Sequence, residues 1–175
     1  MTTKELMDIA LKAAGMKEIP HDSGIIVEGK GIKKVLMGVD MDTAELLLAR
    51  ELGFDCVVSH HPRNTNPQML EVLHAHIRNL EALGVPRNKS QKLLEERKTE
   101  LSYNQHVSNS RRSESAAKLL NMPYMCIHTP ADCISEAIVR DFLDKKFKNK
   151  PETTVQDVVE ALEGINEYKD SAENL

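Results

Sequence analysis

Two adjacent histidines, His60 and His61, close the apolar run Cys56-Val57-Val58-Ser59 and are followed at once by Pro62. Neutral imidazole is a common ligand of divalent transition metals. Neighbouring residues of an extended strand point to opposite faces, so both rings can reach one cation only if the chain bends. Pro62 forces such a change of direction. The competing reading is one core histidine and one surface histidine. A second constellation, His128-Thr129-Pro130-Ala131-Asp132, places an imidazole and a carboxylate just beyond another apolar run, Tyr124-Met125-Cys126-Ile127. Asp132 falls in the first turn of the next helix, where a carboxylate can simply satisfy helix amides. Beside His60-His61 its other use gains weight, because a carboxylate bridging imidazole-held cations recurs in metal hydrolases. Such cations would acidify a bound water, and Asp40 and His128 are the candidate catalytic groups for moving its protons.

The elements that must position these groups can be read from pattern. Phe54 to Val58 is short, apolar and rich in β-branched residues, as a buried strand requires. Val35 to Asp40 reads as another buried strand. Between them Asp42 and Glu45 form a helix start, and Gly53 closes the helix. Strand, helix, strand is a βαβ unit, which makes the two strands parallel and sets Asp40 and His60-His61 at one sheet edge. Ligands of open α/β sheets collect just past the carboxyl ends of strands. Thr2 and Glu5 have the capping-box form ahead of an amphipathic helix that Gly15 ends. Helices open at Asn66-Pro67, at Asn88 and Gln91, and at Ser108 or Ser110, giving a helical insertion over 67–121. Tyr124 to His128 is the third core strand. Thr129-Pro130 then caps a long helix from Ala131 to about Phe147, whose carboxyl end carries the basic run Lys145 to Lys150. A last helix spans Thr154 to Leu162. The fold class is therefore α/β: a mainly parallel sheet flanked by helices, with an inserted helical segment. Residues 1–165 form a single domain, and 166–175 are a polar tail.

Bulk composition excludes several functions. The 175 residues are 41% hydrophobic and 29% charged, which suits one globular domain with a real core. With 3% aromatics, no Trp and a net charge of −4, the chain offers neither stacking platforms nor a basic surface for nucleic acid. The three cysteines make an odd count without a CxxC, so a reduced, cytoplasmic setting is the simple inference. No secretory hydrophobic region or membrane-spanning stretch is apparent, which points to a soluble protein with no membrane partner. His74 and His76 lie two apart on a helix and read as surface residues.

In this order, the motifs resemble those of the Nif-three-like family, often labelled GTP cyclohydrolase 1 type 2 homologues. The resemblance starts at Asp22-Ser23-Gly24-Ile25-Ile26-Val27-Glu28-Gly29, similar to that family's Asp-Asn-x-Gly-Leu-x-x-Gly. It continues through Val39-Asp40, Ser59-His60-His61-Pro62 and His128-Thr129-Pro130-Ala131-Asp132. It implies a pair of divalent metals in a cleft of an α/β fold and a ring-like homo-oligomer. It also implies hydrolase-like chemistry on a small-molecule or nucleotide substrate. His60, His61 and Asp132 fall on its metal-ligand positions, with Asp132 the bridge, and His128 on a motif histidine that lines the site. The family's remaining ligands, a His-x-x-x-Glu pair, lie near the end of a longer chain, whereas no histidine comes after Asp132 here. Either the chain is an amino-terminal portion or the site is completed otherwise, with His106 the candidate substitute. The donor types suit Zn, Mn, Fe or Ni equally. The alternative function is a metal-dependent binding or regulatory protein without turnover, whose inserted helices hold a partner.

Overall fold

A computed structural model describes residues 1–61, 68–107 and 111–168. The chain runs α1 (Thr3–Ala13), β1 (Ser23–Val27), β2 (Val35–Gly38), α2 (Thr43–Glu51), β3 (Cys56–Ser59), α3 (Gln68–Ala82) and α4 (Arg87–Val107). It continues through α5 (Arg112–Leu120), β4 (Tyr124–Ile127), α6 (His128–Phe147) and α7 (Val155–Leu162) to a short 3-10 turn, Asn166–Tyr168. Residues 169–175 of the polar tail lie outside the described residues. No described helix is long and apolar enough to cross a membrane.

The four strands form one sheet in the order β1-β4-β3-β2. β2, β3 and β4 are parallel, and β1 runs antiparallel beside β4. The mainly parallel α/β sheet read from the sequence is therefore the observed one, with α2 and then α3 to α5 supplying the crossovers that parallel strands need. Strand register levels one edge of this sheet. Gly38 pairs with Ser59, and Ser59 with Cys126, so the carboxyl ends of three strands finish almost level. Asp40, His60, His61 and His128 all leave the sheet at that edge.

The chain divides into two compact units, Met1–Ala131 and Asp132–Leu175. In the first, helices cover both faces of the central strand, and β3 is buried along its whole length. Val57 and Tyr124 pack with Leu46 and Ala49 of α2 and Ala117 of α5 on one face. Cys56, Val58 and Met125 pack with Met7 and Leu11 of α1 on the other. That alternation is the period-two pleat of the strand. β2 departs from its reading as a buried strand, because it lies at the sheet edge and leaves Met37 62% exposed. α1 is stapled down where Thr3 N–H donates to the Gly29 carbonyl at 3.1 Å and Gly29 N–H donates to the Thr3 hydroxyl at 3.2 Å. Gly29 has no room for a side chain, since a Cβ there would meet Pro123 Cγ at 2.4 Å. Of the helices between 67 and 121, α5 belongs to this core, while α3 and α4 pair with each other. The second unit holds α6 from Asp132 onward and α7, which opens with a Thr154–Asp157 capping box. Lys145 and Lys146 occupy the last turn of α6, where cations complement the helix dipole.

Asp42 ties α2 to α5. Its carboxylate caps α2 by accepting from Thr43 N–H at 2.7 Å, and Glu45 completes the capping box. It also accepts from the Ser113 hydroxyl at 2.7 Å and pairs with the Arg112 guanidinium. Arg112, helped by Ser113 and Thr43 against the opposing push of partial burial, holds the carboxyl well below the usual carboxylate range. Its folded value therefore lies below an unfolded value of about 3.9, so its stabilisation is present above about pH 4 and is lost as pH falls further. Asp42→Ala should cost about 0.5–2 kcal/mol from the cap alone, measured by urea unfolding at neutral pH. Below about pH 4 the stabilities of wild type and variant should converge; a gap that stays constant would show that the carboxylate's charge is irrelevant.

Candidate metal centre

β3 ends at Ser59, yet the chain keeps contact with the strand beside it. His60 N–H donates to the Gly38 carbonyl at 2.9 Å and His61 N–H to the Val39 carbonyl at 2.8 Å. The wholly buried Ser59 hydroxyl donates to the His61 carbonyl at 2.7 Å and accepts from Met41 N–H at 3.4 Å. That bond spans the bend at His60 and His61. The chain thus bends ahead of Pro62, which lies outside the described residues. Cys126 holds the other flank, with its thiol donating to the His60 carbonyl at 3.0 Å. Burial pushes that thiol up to about 12, so it stays protonated and acts as a donor, not as a thiolate ligand.

With the backbone bent, the rings converge. The His60 and His61 centroids are 5.0 Å apart, those of His60 and His128 are 4.7 Å apart and stacked, and those of His61 and His128 are 5.8 Å apart. One nitrogen from each ring lies within 4.8 Å of the other two. Ligand nitrogens around a tetrahedral zinc, at bonds of about 2.0–2.1 Å, stand roughly 3.3–3.4 Å apart. Three imidazoles are a donor set that fits a divalent cation.

Two of the rings are held by carboxylates. His61 Nδ1 lies 3.0 Å from Asp40 Oδ1 in a pair with both side chains about half exposed. His128 Nδ1 lies 2.8 Å from Asp22 Oδ2, and that pair is largely buried. Asp22 also accepts from the Thr129 hydroxyl at 2.5 Å, Thr129 N–H at 3.4 Å and the Ser23 hydroxyl at 3.2 Å. Burial pushes the Asp22 carboxyl up, but the hydrogen bonds from Thr129, His128 and Ser23 outweigh it and leave the group below its ordinary value. A neutral imidazole that donates through Nδ1 carries its lone pair on Nε2.

Of the residues singled out from sequence, His60, His61 and His128 come together, and Asp40 joins them through His61. Asp132 lies one helical turn beyond His128 along α6 and is not a member of the three-imidazole group. His106 is within α4, but its side chain lies outside the described residues. His74 and His76 are exposed on α3, as expected. One local expectation is corrected: α6 begins at His128, not at Ala131, and the Thr129 hydroxyl binds Asp22 instead of capping its own helix. Asp22 and Ser59 are the residues whose parts the sequence left unread. Asp22 heads the Asp-Ser-Gly run, but its partner lies 106 residues away.

The fold superposes on the crystal structure of a NIF3 superfamily protein from Sphaerobacter thermophilus with a TM-score of 0.86, at 35% identity and over 97% of this chain. In sequence and fold the chain is similar to the NIF3 superfamily. It spans 63% of the length of that relative. No family model matches the chain, and no curated protein does. Within this NIF3-like fold, the bend after β3 hangs on one hydroxyl. Ser59→Ala would leave the His61 carbonyl without its donor, at a cost of about 1–3 kcal/mol. Urea unfolding measures that loss, and unchanged stability would show that the bend holds itself.

Proposed function

We propose that this NIF3-like chain binds a divalent cation through His60, His61 and His128 and serves hydrolase-like chemistry. The observation that supports this reading is the convergence of three imidazoles at the carboxyl edge of a parallel sheet, two of them backed by carboxylates at Nδ1. Ligands of open α/β sheets collect just beyond this edge. The resemblance adds Asp132, one turn further along α6, as a fourth donor to be tested beside them. A cation bound here would lower the pKa of a water ligand and polarise a substrate oxygen. Asp40, half exposed beside His61, is placed to orient that ring and to accept protons from solvent-side groups. Zn, Mn, Fe and Ni all suit imidazole and carboxylate donors.

Metal analysis of the purified protein tests the reading directly. Dialysed against Zn²⁺ or Co²⁺, the chain should retain metal, and His60→Ala and His128→Ala should each weaken binding by at least about tenfold. His76→Ala, an exposed change on α3, should leave uptake unaltered. Asp132→Asn should remove more metal than Asp42→Asn if the carboxylate is a ligand. Uptake no different between His60→Ala and His76→Ala would sink the proposal. Turnover of GTP or a phosphoester that disappears with His60 speaks for a hydrolase, and metal retention without turnover for a binding protein.

A further inference from the structure

The α3–α4 hairpin carries a concave region of its own. The two helices pair with each other, and a cavity of about 440 Å³ opens between them. That volume is within the range small organic ligands occupy. Ile77 and Arg78 line it from α3, and Arg87, Leu94, Glu95 and Lys98 line it from α4. The spacing of the α4 residues puts them on one helix face. Arg87 and Lys98 stand eleven residues apart, about 16 Å along the axis, with Leu94 between them. Charge on an exposed helix is ordinarily a solvated face whose members pair with near neighbours, as Arg97 of α4 does with Glu100 at 2.6 Å. The cleft departs from that pattern. Among the described residues neither Arg78 nor Lys98 has an ion-pair partner, and Arg87 reaches Glu81 only at 3.5 Å. Against three cations the lining holds one acid, Glu95. A concave surface with such a bias concentrates anions. Ile77 and Leu94, both half-buried, add an apolar part to the wall.

We infer that the α3–α4 cleft binds a phosphorylated organic molecule, its phosphate held by Arg78, Arg87 and Lys98 and its body laid on Ile77 and Leu94. Three cations less one acid leave two positive charges, which match a phosphate monoester of about −2 at neutral pH. Guanidinium groups meet phosphate oxygens in pairs, and an ammonium adds a point charge beside them. The cleft shares no residue with the three-imidazole group, so the inference stands apart from the metal-binding reading.

Calorimetric titration of the metal-free protein with phenylphosphonate at low salt tests the site, with the methyl signals of Ile77 and Leu94 followed by NMR. Phenylphosphonate carries the charge and an apolar ring but no ester bond to hydrolyse. It should saturate the protein, shift both methyl signals, and bind at least about fivefold more tightly than inorganic phosphate. Raising the salt should weaken it, since the cations are exposed. Arg78→Gln and Lys98→Gln should each weaken binding by about tenfold. Glu95→Gln should tighten it by removing a like charge, a gain that damage to the fold would not produce. The proposal is overturned if no saturation is reached by about 10 mM phenylphosphonate. Binding indifferent to all three substitutions, or binding lost in His60→Ala, places the anion elsewhere and overturns it too. Equal affinity for phenylphosphonate and inorganic phosphate would overturn the assignment of an organic ligand.

Discussion

Adjacent side chains on a strand diverge, so two neighbouring histidines can meet a common partner only where the backbone has ceased to be extended. The edge of this sheet depends on that constraint. Ser59 is the last residue in the β3 ladder, and its hydroxyl bonds the carbonyl two residues on. The amides of His60 and His61 meanwhile bond Gly38, the last residue of β2, and Val39 just after it, so both keep backbone partners through the bend. A buried polar group is tolerated when its partners are supplied. Ser59 meets that condition and uses it to fix the direction in which two rings leave the sheet.

The level ends of β2, β3 and β4 do the rest. A one-residue slip of either parallel pairing would turn every side chain of a strand to the opposite face, moving Val57 out of the α2 face and Cys56 out of the α1 face. The two core clusters therefore lock the register, and the register sets His60 beside His128. Packing far from the rings is thus what brings them within reach of each other. The carboxylates divide by cost. An exposed pair such as Asp40–His61 contributes little to stability. A buried carboxylate is expensive unless it is fully bonded, and Asp22 accepts from Ser23, His128 and Thr129.

What could be read from sequence was local or periodic. The capping boxes at Thr2–Glu5 and Asp42–Glu45 stand three residues apart in the chain and close in space. The apolar runs at 35, 56 and 124 became strands in one sheet, since crossover helices leave parallel pairing as the natural outcome. His60, His61 and His128 were visible because imidazoles directly after such runs have few other uses. Asp22 was not, because nothing near it in sequence shows which strand β1 will pair with. The edge position of β2 was hidden for the same reason: Val35 to Val39 has the composition of a central strand, and only the sheet order exposes Met37. Thr129 misled because a threonine before a proline fits a helix cap as well as it fits a distant carboxylate.

The position of β2 has a further bearing on how the chain behaves among copies of itself. Among the described residues its outer side is the open border of the sheet, and an open border is a template on which a foreign strand can grow. The sequence limits that hazard at the strand's beginning, where Asp55 Oδ2 takes the amides of both Lys33 and Lys34 at 2.8 Å. Two lysines then stand as charged sentries before four residues of strand, a stretch too brief to offer an intruder more than a few backbone partners. Protection against fibrous growth is in this way written into the same short segment that leads to the histidine-bearing edge.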